Sequence, residues 1–145
     1  MKRTFAFFFP ALLAVLIAFS ACQDKNAPDQ RDTVELEATI NGAQQIPGNS
    51  NPGTGQFAGS YNKVTRQLTY TITHTGVTLT GTNNGLFFFT DFNSQVGPAI
   101  RTFTTTTSPI TGTVQLTQEQ ENLLFGGMTY VNLGPIRGNI RLKPF

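Results

Sequence analysis

The chain has 145 residues, enough for one domain and short extensions. Charged residues make up 12%, about half the usual soluble share of roughly 25%. One Cys, one His and no Trp exclude a disulfide framework and any multi-cysteine metal site. The formal charge of +2 is carried by the N-terminus. Without Lys2 and Arg3 the ten basic residues fall to eight, equal to the eight acidic ones. A near-neutral chain lacks the positive field that nucleic-acid binding needs, so no nucleic-acid partner is expected.

Residues 1–21 read as a signal peptide. Lys2 and Arg3 form a positive start, and Phe5 to Phe19 is apolar apart from Pro10. That run is shorter than the roughly 20 apolar residues of a membrane-spanning helix and fits an export signal. Ser20 and Ala21 then lead to Cys22. A small-residue stretch ending in Cys resembles the bacterial lipobox, which implies acylation of the Cys22 thiol and anchoring in a membrane. Phe19 stands where Leu is usual in that motif. More than one acyl chain is needed for stable anchoring. Gln23, in place of Asp, points to the outer membrane by resemblance to bacterial sorting rules. Residues 22–33 have no large apolar side chain before Val34 and contain Pro28, so they read as a flexible tether.

Residues 34–143 read as one β domain. Apolar residues alternate with polar ones in Val34–Ile40, Gln67–His74 and Ile136–Leu142. Shorter strand-like runs lie at Gly55–Tyr61, Leu86–Phe92, Ile100–Thr106, Gly112–Leu116 and Met128–Leu133. Thr and Phe suit a pleated, half-buried surface. Turn clusters at Pro47–Gly53, Gly81–Gly85 and Ser94–Pro98 separate the runs. Thr104–Thr107 is expected at an exposed strand edge. One helix is predicted: Thr117 and Gln120 form a capping box, Leu123 to Phe125 follow, and Gly126-Gly127 stops it. The pattern predicts an all-β fold, an antiparallel β-sandwich or Greek-key barrel of about eight strands with one short helix.

These runs, in this order, resemble the CHRD domain of chordin and of many bacterial secreted proteins. Leu36 to Pro47 (LEATINGAQQIP) and Gly53-Thr54-Gly55 match its start, with Gln45 where the family usually has Glu. Leu68 to Ile72 matches its "L-x-Y-x-V" strand, and Tyr130-Val131-Asn132 with Ile136 to Ile140 (IRGNI) matches its end. The resemblance implies a His-x-His pair in the middle strand and another His after the Tyr-Val-Asn motif. This chain has Phe87 and Phe89 at the first two positions and the short Leu133-Gly134-Pro135 at the third. A metal or polar cluster built on those imidazoles is therefore not expected here. The resemblance places Arg137 at a family structural position, where pairing with a carboxylate inside the domain is expected.

The remaining chemistry is sparse. His74, the only His, shares parity with Leu68, Tyr70 and Ile72 and reads as a partly buried structural residue. A zinc site needs about four ligands, and no second His or free Cys is at hand. Asp91 and Asn93 offer oxygens for calcium, but the loop lacks the repeated acidic spacing of known sites. Ser60, Ser94 and Ser108 lie in no nucleophile motif. Glu35 with Glu37, and Glu119 with Glu121, read as solvated pairs. Arg137, Arg141 and Lys143 share one parity of the last run, read as a strand edge protected by charge rather than an anion-binding stripe. Phe87 and Phe89 are expected inside, and Phe88 with Phe92 on the other parity.

The expectation is a lipid-anchored protein of the cell envelope, in the outer membrane, with a non-catalytic structural or recognition domain. No catalytic residue, metal ligand or cofactor is assigned. The partners expected are the membrane, through Cys22, and an extracellular protein or glycan. Two rival readings stand beside it. One is a metal-binding or enzymatic envelope protein with the family site altered. The other is a carbohydrate-binding surface module using exposed aromatic rings, against which the lack of Trp counts.

Overall fold

The computed structural model describes residues 31–80, 83–89 and 95–144. Cys22, the signal segment and most of the tether lie outside the described residues, as do Asp91, Phe92, Asn93 and Ser94.

The first three strands are long and regular: β1 (Thr33–Asn41), β2 (Thr54–Asn62) and β3 (Gln67–Thr75). Their period-two pattern sends Val34, Leu36, Ala38 and Ile40, then Phe57 and Tyr61, then Leu68, Tyr70 and Ile72 inward, all buried. The opposite parity carries mostly Thr, Gln, Glu and Ser, which stay hydrated. The Phe57 ring lies across Gly59, where a Cβ would come within 2.8 Å of it, so the small residue makes room for the large one.

Shorter strands complete the sheet: β4 (Asn84–Phe88), β5 (Ala99–Thr102), β6 (Ile110–Gln115), β7 (Thr129–Leu133), β8 (Ile136–Asn139) and β9 (Arg141–Leu142). All are antiparallel in one sheet of order β5-β4-β7-β8-β1-β2-β3-β6, with β9 also pairing β1. The sheet curls into a nearly closed barrel, one of the two all-β architectures expected. Its seam lies between β5 and β6, where Tyr70 and Phe103 rings meet at 5.8 Å and a small polar cavity is lined from both strands.

The helix α1 (Gln118–Phe125) starts where predicted. The Thr117 hydroxyl accepts from the Gln120 amide at 3.2 Å, and Gln120 Oε1 accepts from the Thr117 amide at 3.0 Å. Leu124 is buried in the core, and Phe125 meets Tyr61 edge-on at 5.7 Å.

Three expectations are corrected. The run Ile136–Leu142 is not one strand: it breaks at Ile140, whose amide donates to Thr129 O at 2.9 Å, and divides into β8 and β9. β8 is also not a sheet edge, because β7 flanks it on one side and β1 on the other. Arg137, its one charge, therefore guards no free edge, whereas Arg141 lies on β9, which pairs with β1 alone among the described residues. Finally, β5 ends at Thr102, and Thr104–Thr107 form an exposed connection.

Candidate functional site

The sheet has a second buried surface. On β1 to β3 only the barrel-facing side is covered, but β7 is buried at all five positions. Val131 and Leu133 face the main core, while Tyr130 and Asn132 point the other way. Cross-strand register sets Phe87 opposite Tyr130, Arg137 opposite Asn132 and Asn139 opposite Tyr130, so these side chains share the outer face. Phe89 follows Phe87 by two positions and joins them.

The result is an aromatic and guanidinium stack. The Phe87 and Tyr130 rings lie 5.4 Å apart and 15° from parallel. Phe89 packs at 6.2 Å from Tyr130. The Arg137 guanidinium sits 3.6 Å from the Tyr130 ring centre and 5.8 Å from that of Phe89. Phe87, Phe89 and Arg137 are only 8%, 2% and 2% exposed. Burial pushes the Arg137 pKa down, with Tyr130 opposing. Arginine starts so high that the group keeps its charge.

Among the described residues the partners of Arg137 are neutral acceptors, and Asp91 lies outside them. Arg137 Nη1 donates to the Gln95 carbonyl at 2.7 Å, and Nε to Asn139 Oδ1 at 3.3 Å. Nη2 is buried without a hydrogen-bond partner. Burying a cation is expensive, so the ring face beneath it matters: cation–π contact contributes about 2 kcal/mol when desolvated. Gln95 itself adopts a left-handed backbone with φ of 48°. Next to it, Gly97 passes so close to the Phe88 carbonyl that no Cβ fits.

A polar rim adjoins the stack. Gln45 Nε2 donates to Asn132 Oδ1 at 3.1 Å and to Gly134 O at 2.9 Å. Asn132 Nδ2 donates to Asn83 O at 2.7 Å. Gln45 follows the single-turn helix Gly42–Gln44, whose N-cap Asn41 accepts from the Gln44 amide at 3.0 Å. The neutral amide at position 45 thus ties the loop after β1 to the tight β7–β8 turn, where Gly134 takes φ of 57°.

The other predicted residues are scattered. His74 is half-buried at the end of β3, with Nε2 at 3.0 Å from Thr106 O and its amide donating to Ser108 Oγ at 3.0 Å. It borders a shallow depression of about 270 Å³ lined otherwise by Thr54, Gly55, Gln56, Thr73 and Thr75. Glu37 pairs with Arg141 at 3.2 Å, while Glu35 is exposed. Glu119 and Glu121 occupy the first turn of α1. Among the described residues no three His, Cys, Asp or Glu side chains gather as metal ligands. The Tyr130–Arg137 stack and the Gln45–Asn132 contact were not read from the sequence. The available signal was Tyr130-Val131-Asn132, with polar ends around an apolar centre in a strand too apolar to have a wet face.

Fold and site together define a small all-β module whose outer face on β4, β7 and β8 is closed by stacked rings around one arginine. The model of the CHRD domain family matches residues 36–135, well over half of the chain, and the chain belongs to that family. Arg137 lies two residues beyond the matched span. No curated protein and no solved structure matches the chain significantly.

Proposed function

We propose that this chain is a lipid-anchored cell-envelope protein whose CHRD domain works as a non-catalytic structural or recognition module. The observation that carries the non-catalytic part is the closed stack of Phe87, Phe89, Tyr130 and Arg137. Apolar rings fill the strand positions at which the family resemblance implies imidazoles, and rings offer no lone pair to a metal. The anchor rests on Cys22, the sole thiol, placed directly after the apolar export segment.

Two measurements test the reading. Cys22→Ser is expected to move the protein from the membrane fraction to the soluble fraction; retention in membranes after a high-salt wash would refute the anchor. Purified protein is expected to carry no stoichiometric metal. Metal that His74→Ala removes would overturn the non-catalytic reading in favour of an altered family site.

A further inference from the structure

The two ends of the barrel differ in chemistry. One end gathers the start of β1, the β2–β3 turn, the close of β6, the helix α1 and β9. Register fixes this grouping: Thr33 pairs Asn62, Asn62 pairs Gln67, and Gln67 pairs Gln115. The Lys63 amide donates to Asp32 O at 2.7 Å, and the Lys143 amide to Glu35 O at 2.9 Å. The opposite end holds residues 42–53, 76–80 and 103–109. Its exposed positions are Gly, Asn, Ser, Pro and Thr apart from Ala43 and Ile46.

The first end is apolar at its rim. Val64 in the β2–β3 turn is 71% exposed, Leu142 45% and Phe125 39%. They surround the start of β1. Phe125 packs edge-on against Tyr61, which pairs Val34. Leu142 pairs the core residue Leu36 and shares its inward side, but the barrel ends there and leaves it half uncovered. Val64 follows Tyr61 by three positions. A lone exposed apolar side chain needs no explanation. These three ring the point at which the chain enters the domain.

That point says what meets the rim. The inference rests on the anchoring of Cys22. Arg31 follows Cys22 by nine positions, and nine residues reach at most about 30 Å when fully extended. An acylated Cys22 therefore keeps Arg31, and the rim beside it, within that distance of lipid. Contact between rim and bilayer is then intramolecular in effect, so a small apolar surface suffices. We propose that this end of the barrel rests on the bilayer that carries the anchor, with Val64, Phe125 and Leu142 at the boundary between headgroups and acyl chains. The loops of the opposite end face away from the membrane. Arg66 and Lys143 at the membrane end are offset by Glu119 and Glu121. The contact is therefore one of apolar insertion and not of attraction to anionic lipid, and salt does not break it.

The test uses the full-length lipidated chain. Thr65→Cys, beside Val64, and Thr105→Cys, at the far end, each carry an environment-sensitive fluorophore, with the unsubstituted protein as the control for label at Cys22. The chains are reconstituted into vesicles of phosphatidylethanolamine and phosphatidylglycerol containing nitroxide-labelled lipid. Quenching is expected to be several-fold stronger at position 65 than at position 105, at low and high salt alike. Adding Val64→Glu and Leu142→Glu is expected to remove most of the quenching at position 65, with the protein still in the vesicle fraction and its circular dichroism spectrum unchanged. Val64→Glu alone, in an exposed turn, gives the same reading if the pair disturbs the spectrum. Equal quenching at the two positions overturns the proposal and leaves the anchor standing. So does quenching at position 65 that survives the Glu substitutions, which the tether alone would produce, or quenching lost in high salt, which charge would produce. A chain that never enters the vesicle fraction refutes the anchor, and the proposal with it.

Discussion

At the scale of residues, Arg137 shows how an aromatic face and neutral acceptors help to hold a charge inside. Its flat guanidinium lies on Tyr130 and sends Nη1 to a backbone carbonyl. Lysine has neither the plane nor the fork. Arg137→Lys is therefore expected to lose about 3.5–5 kcal/mol, from a cation–π contact of about 2 and a charged hydrogen bond of about 1.5–3. Arg137→Met keeps much of the volume and removes the desolvation penalty, so it should lose less than half as much. Urea unfolding of both variants checks the order; a lysine variant at least as stable as the methionine one would refute the stacking account. The rings below follow the same logic. Phe87→Ala and Phe89→Ala are each expected to lose about 3–5 kcal/mol, and Phe88→Ala, half-buried on the opposite parity, much less. Equal losses at the three positions would remove alternation from the explanation. Alternation did place Phe87 and Phe89 together. It did not show that they leave the main core for a separate cluster, because period two fixes which side chains share a face and not what covers that face.

At the scale of elements, legibility tracks exposure. β1, β2 and β3 have one wet side, so their polar residues mark the pattern, and their predicted and observed spans agree within one residue at each end. β4 and β7 are covered on both sides; β7 was still read to within one residue, but β4 starts at Asn84 and ends at Phe88 where the apolar run Leu86–Phe92 was expected, because an apolar run does not mark its own ends. The split at Ile140 was also invisible, since Ile136, Ile140 and Leu142 keep the same parity across it. The helix start was readable from four letters, because a capping box is local chemistry. Thr117→Ala is expected to lose about 1 kcal/mol, within the roughly 0.5–2 kcal/mol of a lost cap. The readout is the denaturant midpoint, and an unchanged midpoint would show that the cap contributes nothing to folding.

At the scale of the whole molecule, the all-β class followed from strand count and turn spacing, but the neighbour order did not. Pairing β8 with β1 and leaving β6 at the edge depends on which faces fit after the sheet curls, and no local pattern records that. The closed interior makes a prediction of its own. Burial pushes the Tyr61 phenol up, with the Glu121 carboxylate adding to it. Burial also raises Tyr70, against the pull of Arg101. Both phenols then ionise more easily in the unfolded chain, where the pKa is about 10. Their contribution is full below that pH, and stability falls as the pH rises beyond it. Thermal melts from pH 8 to 11.5 should show the fall beginning near pH ~10, and Tyr61→Phe with Tyr70→Phe should flatten it. A fall already complete by neutral pH, or one untouched by the double variant, would assign the effect to other groups.

The position of β1 sets the order in which this barrel can be finished. Its first neighbour, β2, follows directly, but its other side waits for β8 and β9, the last strands of the chain to be made. As synthesis runs from the N-terminus, the β1–β2–β3 meander is complete while half of β1's hydrogen-bonding groups still face water or another chain. Closure then comes at once, with Asn41 meeting Arg137 and Leu36 meeting Leu142. The first strand of the barrel therefore keeps one side unpaired until β8 and β9 join it, so a chain truncated before Ile136 is expected to lose the barrel as a whole.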